Sequence, residues 1–257
     1  DSGPELNQAV IHLYWKDDIA EIFIDTSGET LSKHGYRKIP GQAPMLESLA
    51  AAVIYAGNWN GTTHFINPMC GSGTLAIEAA MMATGRKPGL YRSNYAFMHI
   101  LGYEEEFYRI AYSRLEAEVK PGVDRIIMAT DISEDAINIS KINAGIAGVE
   151  DIINFQVCDF EETHLPDDNK GVVYINPEYG DRLGVEQELE ITYKRMGDFF
   201  KKKCKGYTGY IFTGNLELGK KIGLKPKRRI EFYTSKIDCR LFEYELYEGS
   251  RVEKLIK

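Results

Sequence analysis

Four apolar runs, in "THFINPMCGSG", "RIIMATDIS", "IINFQVCDF" and "GVVYINPEYG", stop abruptly on Asn67, Asp131, Asp159 and Asn176. Segments with apolar residues at helical spacing alternate with these runs, among them "TLAIEAAMMATG", "SEDAINISKINAGIAG" and "ELEITYKRMGDFFKKKC". Strands joined through helices need right-handed crossovers, which predicts an α/β fold with a doubly wound, mostly parallel sheet. In such sheets ligands bind beyond the carboxyl ends of the strands, where the strand order changes direction. The four polar residues therefore fall where a site is expected. "TGYIFTGN" adds a strand, and "RRIEFYTSKIDCRLFEYELY" a closing antiparallel pair, which brings the sheet to seven strands.

Upstream, "VIHLYWKDDIAEIFID" reads as two short strands around Lys16-Asp17-Asp18, followed by the polar loop "TSGETLSKHGYR". Pro44 then opens a helix, "PMLESLAAAVIYAGNW". The predicted organisation is an N-terminal extension or linker over residues 1–42 and one large domain over residues 43–257. Gly85 to Gly122 reads as an insertion able to wall a substrate site.

The composition, 44% hydrophobic and 27% charged, is that of an ordinary globular protein. No apolar run approaches the roughly 18 residues that would span a bilayer. The first residues lack a signal-peptide pattern and an initiator Met, so the chain reads as a cytosolic protein or a piece of one. Cys70, Cys158, Cys204 and Cys239 are too scattered for a zinc site or a disulfide framework. The five histidines, at 12, 34, 64, 99 and 164, have no metal-like spacing. The net charge of −7 argues against wholesale nucleic-acid binding, yet residues 194–229 carry twelve Lys or Arg against Asp198 and Glu217. That stretch is either a phosphate-facing surface or a solvated helix face with loops.

"NPMCGSGTLAIEAA" places Gly71 and Gly73 between strand and helix, where backbone can approach a ligand and the helix N-terminus offers free N–H groups. It is not a dinucleotide fingerprint, because Ala76 stands where the third glycine belongs. Asp131 can take both hydroxyls of a ribose, and Asp159 can accept from an exocyclic amine such as adenine's. Either alone reads more readily as a helix cap or turn residue. Taken together at successive strand ends, they describe a nucleoside pocket without a pyrophosphate.

After the fourth strand, Asn176 and the carbonyl of Pro177 can accept both N–H bonds of a planar amine, leaving the nitrogen lone pair aimed at an electrophile. Tyr179 offers a face on which a base can stack, worth about 1–3 kcal/mol in single-strand binding sites. Such a loop orients its target and supplies electrostatics, with little acid–base work.

The set "NPMCGSGTLAIEAA … ATDIS … CDF … INPEYGDRLG", with its lead-in "IDTSGETLSKHGYRKIPGQAPMLESLAAAVI", resembles class I S-adenosylmethionine-dependent methyltransferases that modify exocyclic amines. More narrowly, it is similar to the bacterial THUMP-associated 23S rRNA guanine-N2 methyltransferases, a group also labelled N6-adenine-specific DNA methylases. The resemblance implies a Rossmann-like methyltransferase domain with S-adenosylmethionine as cofactor and no metal. It implies that Asn67, Pro68, Met69, Cys70, Gly71, Gly73 and Thr74 line the methionine part, with Glu78 ordering the loop. Asp131 and Ile132 would hold the ribose side, Asp159 and Phe160 the adenine, and Asn176, Pro177 and Tyr179 the target amine. An upstream THUMP domain and the basic 194–229 stretch would capture structured RNA, in the cytoplasm. Glu178 stands where the family has a second proline, which bears on loop rigidity and on the choice of target.

Rival expectations are adenine-N6 methylation of DNA or RNA, a catalytically silent RNA-binding module favoured by Glu178, and, more distantly, an NAD-dependent oxidoreductase. Cys70 is read as a packing residue, and Arg182 as a phosphate contact or a partner of Glu186.

Overall fold

The computed structural model describes residues 10–40, 44–168, 170–178, 186–234 and 237–247, with residues 186, 234 and 237 described by their backbone alone. In chain order the elements are β1 (Ile11–Lys16), β2 (Ile19–Ile24), α1 (Glu47–Ala56), β3 (His64–Pro68), α2 (Thr74–Thr84), α3 (Glu105–Ala117), β4 (Ile127–Asp131), α4 (Glu134–Ile146), β5 (Ile153–Val157), β6 (Gly171–Ile175), α5 (Glu186–Lys202), β7 (Thr208–Thr213), α6 (Leu216–Lys221), β8 (Arg228–Thr234) and β9 (Ile237–Glu245). Each strand and helix expected from the pattern is present. α1 starts at Glu47, three residues after the proline that was expected to open it.

Among the described residues, seven strands form one sheet in the order β5-β4-β3-β6-β7-β9-β8, with β3 to β7 mutually parallel and β9 antiparallel to both its neighbours. The order runs outward to β4 and β5 on one side of β3 and to β6 and β7 on the other. The direction therefore changes between β3 and β6, the expected position of a ligand crevice.

Alternation along the strands sends successive side chains to opposite faces. Phe65, Val172, Tyr174, Tyr210, Phe212 and Leu241 pack beneath α1, α2 and α4. Ile66, Val173, Ile175, Ile211, Phe242 and Tyr244 pack beneath α5 and α6. Both layers are apolar, which explains why these strands read as continuous hydrophobic runs. Under α1 the rings of Phe65, Tyr174 and Tyr210 stack with centroid spacings of 5.0 and 4.4 Å. The two phenols end on backbone oxygens of Ile54 and Gly57, so neither of these buried hydroxyls goes unpaired.

β1 and β2 form a separate two-stranded hairpin whose residues are all exposed. The segment after it is not a loose linker. His34 and Tyr36 both reach Glu78 of α2, at 2.7 and 2.8 Å. The backbone N–H groups of Lys38 and Ile39 donate to Asn143 of α4. The residues before the predicted domain start thus strap across two helices of the domain.

Candidate active site

The glycine loop leaves β3 through Met69, Gly71 and Gly73, all in the left-handed region with φ of 57°, 56° and 80°. Its shape is fixed from behind. Cys70 N–H donates to Thr130 O at 2.9 Å, Ser140 Oγ donates to Gly71 O at 2.7 Å, and Asn143 Nδ2 to Ser72 O at 3.4 Å. Ser140 and Asn143 are buried members of α4, so one helix braces the loop against β4. A Cβ on Gly73 would lie 3.0 Å from Ser140, whereas one on Gly71 would project into open space.

Gly71 N–H donates to Asp131 Oδ2 at 2.9 Å, and Ser133 N–H to Oδ1 at 3.0 Å. Each carboxylate oxygen keeps a further lone pair free for a hydroxyl donor. Ile132, beside it, is 73% exposed, an apolar side chain left uncovered next to a carboxylate.

Asp159 is more constrained than the sequence indicates. Its Oδ1 accepts from Glu161 N–H at 3.0 Å and from Arg195 Nη2 at 2.8 Å. Arg195 also binds Glu161 Oε2 at 2.6 Å, with its guanidinium 4.8 Å from the ring centroid of Phe160. Burial pushes the Asp159 carboxyl upward, but the Arg195 and Glu161 hydrogen bonds outweigh it and hold the group below its ordinary value. Asp159 lines a groove with Glu161, Arg195, Phe199 and Lys202 on the α5 side. Asp131 is joined directly to the glycine loop, while Asp159 is tied to α5, leaving Oδ2 as its available atom. Arg195 was visible in the sequence only as one cation of a basic run.

Asn67 on β3 is 1% exposed; its Nδ2 donates across the crevice to Tyr174 O at 2.9 Å and its Oδ1 is buried without a donor. Asn176, just past β6, likewise carries a buried Oδ1 with no donor. Pro177 is buried and Glu178 exposed. Glu178 O accepts from Tyr193 OH, which also meets Thr213 Oγ1 at 2.8 Å, so α5 and β7 secure this end of the loop. Tyr179 and Arg182 lie outside the described residues.

A buried polar atom without a partner costs about 1–3 kcal/mol, and two such acceptors, one on β3 and one just past β6, flank the crevice. The donor set offers oxygens to amines and hydroxyls, and among the described residues no group of His, Cys, Asp or Glu could hold a metal ion. Burial and the Asp131 charge push the Cys70 thiol up to about 12, so it stays protonated at neutral pH and is no nucleophile. Glu78, expected to order the loop, is engaged by His34 and Tyr36.

Several cations of the basic stretch besides Arg195 are ion-paired. Lys201 and Lys202 pair with Asp198, Lys220 with Glu217, Lys221 with Glu190, and Lys227 and Arg228 with Glu243. α5 runs back from the crevice, so the residues from Lys201 to Lys205 sit beside the start of β7, at the other end of the strands from Asn176.

A sheet of this order, with a glycine loop after its first parallel strand, an acidic strand end and an Asn-Pro loop across the crevice, belongs to the S-adenosylmethionine-dependent methyltransferases. Residues 34–243 match the model of the RMKL-like methyltransferase domain, and the chain belongs to that family. It is 34% identical over 247 residues to a ribosomal RNA large subunit methyltransferase K/L from Allochromatium vinosum, covering 92% of this chain and 33% of that protein. The crystal structure of SMU.472, which holds SAH, superposes with a TM-score of 0.83 at 28% identity over 94% of this chain and 63% of its own. That of a predicted N6-adenine-specific DNA methylase from Listeria monocytogenes gives 0.80 at 29% identity, over 93% and 60%. The chain thus spans about a third of the curated relative and under two thirds of these structures. Its cofactor is S-adenosylmethionine, for which the orphaned Asn67 Oδ1, the open space at Gly71 and the free lone pairs of Asp131 provide fitting partners.

Proposed function

We propose that this chain methylates an exocyclic base amine of structured RNA, guanine N2 of large-subunit ribosomal RNA. The observation that carries this reading is the buried, partnerless Oδ1 of Asn176, an acceptor held at the crevice between β3 and β6. The name of the Allochromatium relative supports ribosomal RNA as the target.

S-adenosylmethionine supplies an electrophilic methyl group when bound. Asn67 to Thr74 would hold its methionine part, Asp131 its ribose hydroxyls, and Asp159 Oδ2 its adenine amine. Ile132 and Phe160 would pack on the adenosine. Asn176 Oδ1 and the Pro177 carbonyl would fix the two N–H bonds of the target amine, and Tyr179 would stack on its base. A base in a helix must be splayed out first, at a cost of a few kcal/mol. Orientation and fixed dipoles then lower the barrier, and the proton leaves the nitrogen after transfer, when that nitrogen is strongly acidic. No thiol takes part: Cys70 is protonated.

Capture of RNA would fall to an upstream THUMP domain, with Lys194, exposed on α5, as the part of the basic stretch nearer the crevice. The setting for such a substrate is the cytoplasm, and no helix among the described residues is long and apolar enough to cross a membrane.

Adenine N6 is the second reading, favoured by the Listeria neighbour, since the same loop serves either amine. Labelled cofactor with deproteinised ribosomal RNA, followed by nucleoside digestion, tests both. N2-methylguanosine is expected. N6-methyladenosine would transfer the assignment to the second reading, and no incorporation by a cofactor-binding chain would favour a silent binding module.

A further inference from the structure

The guanidinium of Arg37 lies on the first turn of α2. Its Nη2 donates to Met45 O and, at 3.0 Å, to Thr74 Oγ1. Only 10% of the side chain is exposed, and Nε is buried with no acceptor. The nearest carboxylate, Glu47, is 3.7 Å away, too far for a hydrogen bond. Thr74 is the first residue of α2, which has no side-chain cap and no acidic residue in its first turn. A buried cation with an unused donor and an uncapped helix N-terminus therefore share one place, and both favour an anion.

We propose that Arg37 is the binding residue for the carboxylate of the cofactor's methionine part, acting with Thr74 Oγ1 and the first N–H groups of α2. This rests on the reading that Asn67 to Thr74 hold that part. The charge balance supports it. Arg37 and Glu47 together are neutral, and an amino-acid zwitterion adds no net charge. The carboxylate meets the guanidinium, and the ammonium meets the orphaned Oδ1 of Asn67. The free Nε–H can donate a charge-assisted bond to a carboxylate while Nη2 stays anchored on Met45 and Thr74, a division of donors that a lysine ammonium reproduces only in part. The segment from His34 to Ile39 thereby becomes part of the cofactor site and not a tether to it. Glu78, through His34 and Tyr36, fixes where Arg37 stands.

The test compares two ligands that share adenosine and sulfur: S-adenosylhomocysteine, and 5′-methylthioadenosine, which lacks the amino-acid group. Calorimetry on Arg37→Gln should show S-adenosylhomocysteine weakened about 10- to 100-fold and methylthioadenosine by less than about twofold, as loss of a charge-assisted hydrogen bond predicts. Arg37→Lys should recover part of the loss. Equal weakening of both ligands, or of neither, overturns the proposal. Should Arg37→Gln not fold, the unaltered chain answers with the carboxamide of S-adenosylhomocysteine: about tenfold or more weaker binding supports the carboxylate contact, and equal affinity overturns it. An unaltered chain that binds neither adenosine ligand would sink the reading of the glycine loop itself, a different result from either.

Discussion

Asn67 on β3 donates its side-chain amide to the backbone oxygen of Tyr174 on β6, over 2.9 Å. The bond crosses the line where the strand order reverses, so it closes the floor of the crevice while leaving Oδ1 free above it. Beneath it the Tyr174 ring is clamped between those of Phe65 and Tyr210.

Asn67→Ala should therefore cost both stability and cofactor affinity. It strands the Tyr174 carbonyl among buried neighbours, a loss of about 1–3 kcal/mol readable in urea denaturation. Asn67→Asp should be worse despite its shape, because it sets a carboxylate against a carbonyl in a dry site. An aspartate variant as stable as the wild-type chain would mean that this bond contributes nothing.

Asn176→Ala separates binding from turnover. If Asn176 Oδ1 holds the target amine only, methyl transfer should fall about 10²- to 10³-fold, in line with removal of other preorganised polar groups. Affinity for S-adenosylhomocysteine should stay within about twofold. Both are read on one preparation, by label transfer and by calorimetry, and full turnover would refute the role.

The strands were legible because the signal is local: a run buried on both faces needs no partner to be recognised. Ser133 as a helix cap was equally local, and its Oγ accepts from Ala136 N–H at 3.2 Å. Glu78 is the contrary case. Read alone it could be a solvated charge, and its partners stand 44 and 42 positions earlier in a segment that looked like a linker. Asp159 was expected to face a ligand; its hold on Arg195 crosses 36 positions, and nothing in either neighbourhood pairs them. Arg37 was missed for the same reason. Its meaning comes from Thr74 and Met45, which only the fold brings near.

Gly71 and Gly73 should respond differently to alanine although both have positive φ. Gly71→Ala pays the left-handed backbone cost of about 1–2 kcal/mol and places a methyl where the cofactor would lie. Gly73→Ala adds a 3.0 Å approach to Ser140, which braces the loop. The first variant should lose cofactor affinity out of proportion to stability, and the second should lose both. Thermal unfolding with and without S-adenosylhomocysteine distinguishes them: ligand should still raise the midpoint of the second more than that of the first.

The Asp159–Arg195 pair carries a pH signature. In the folded chain this carboxyl titrates below its ordinary value of 3.8, so the pair's contribution is fully present above that value. It is lost as pH falls through the lower, folded value. Both side chains are partly exposed, at 27% and 40%, so the effect should be that of a surface pair, about 0.2–1 kcal/mol. Arg195→Met removes the partner and with it this part of the acid sensitivity. Urea midpoints at pH 7 and pH 3 should fall further apart in the wild-type chain than in Arg195→Met. An equal fall in both would mean that Arg195 does not hold the Asp159 carboxylate in solution.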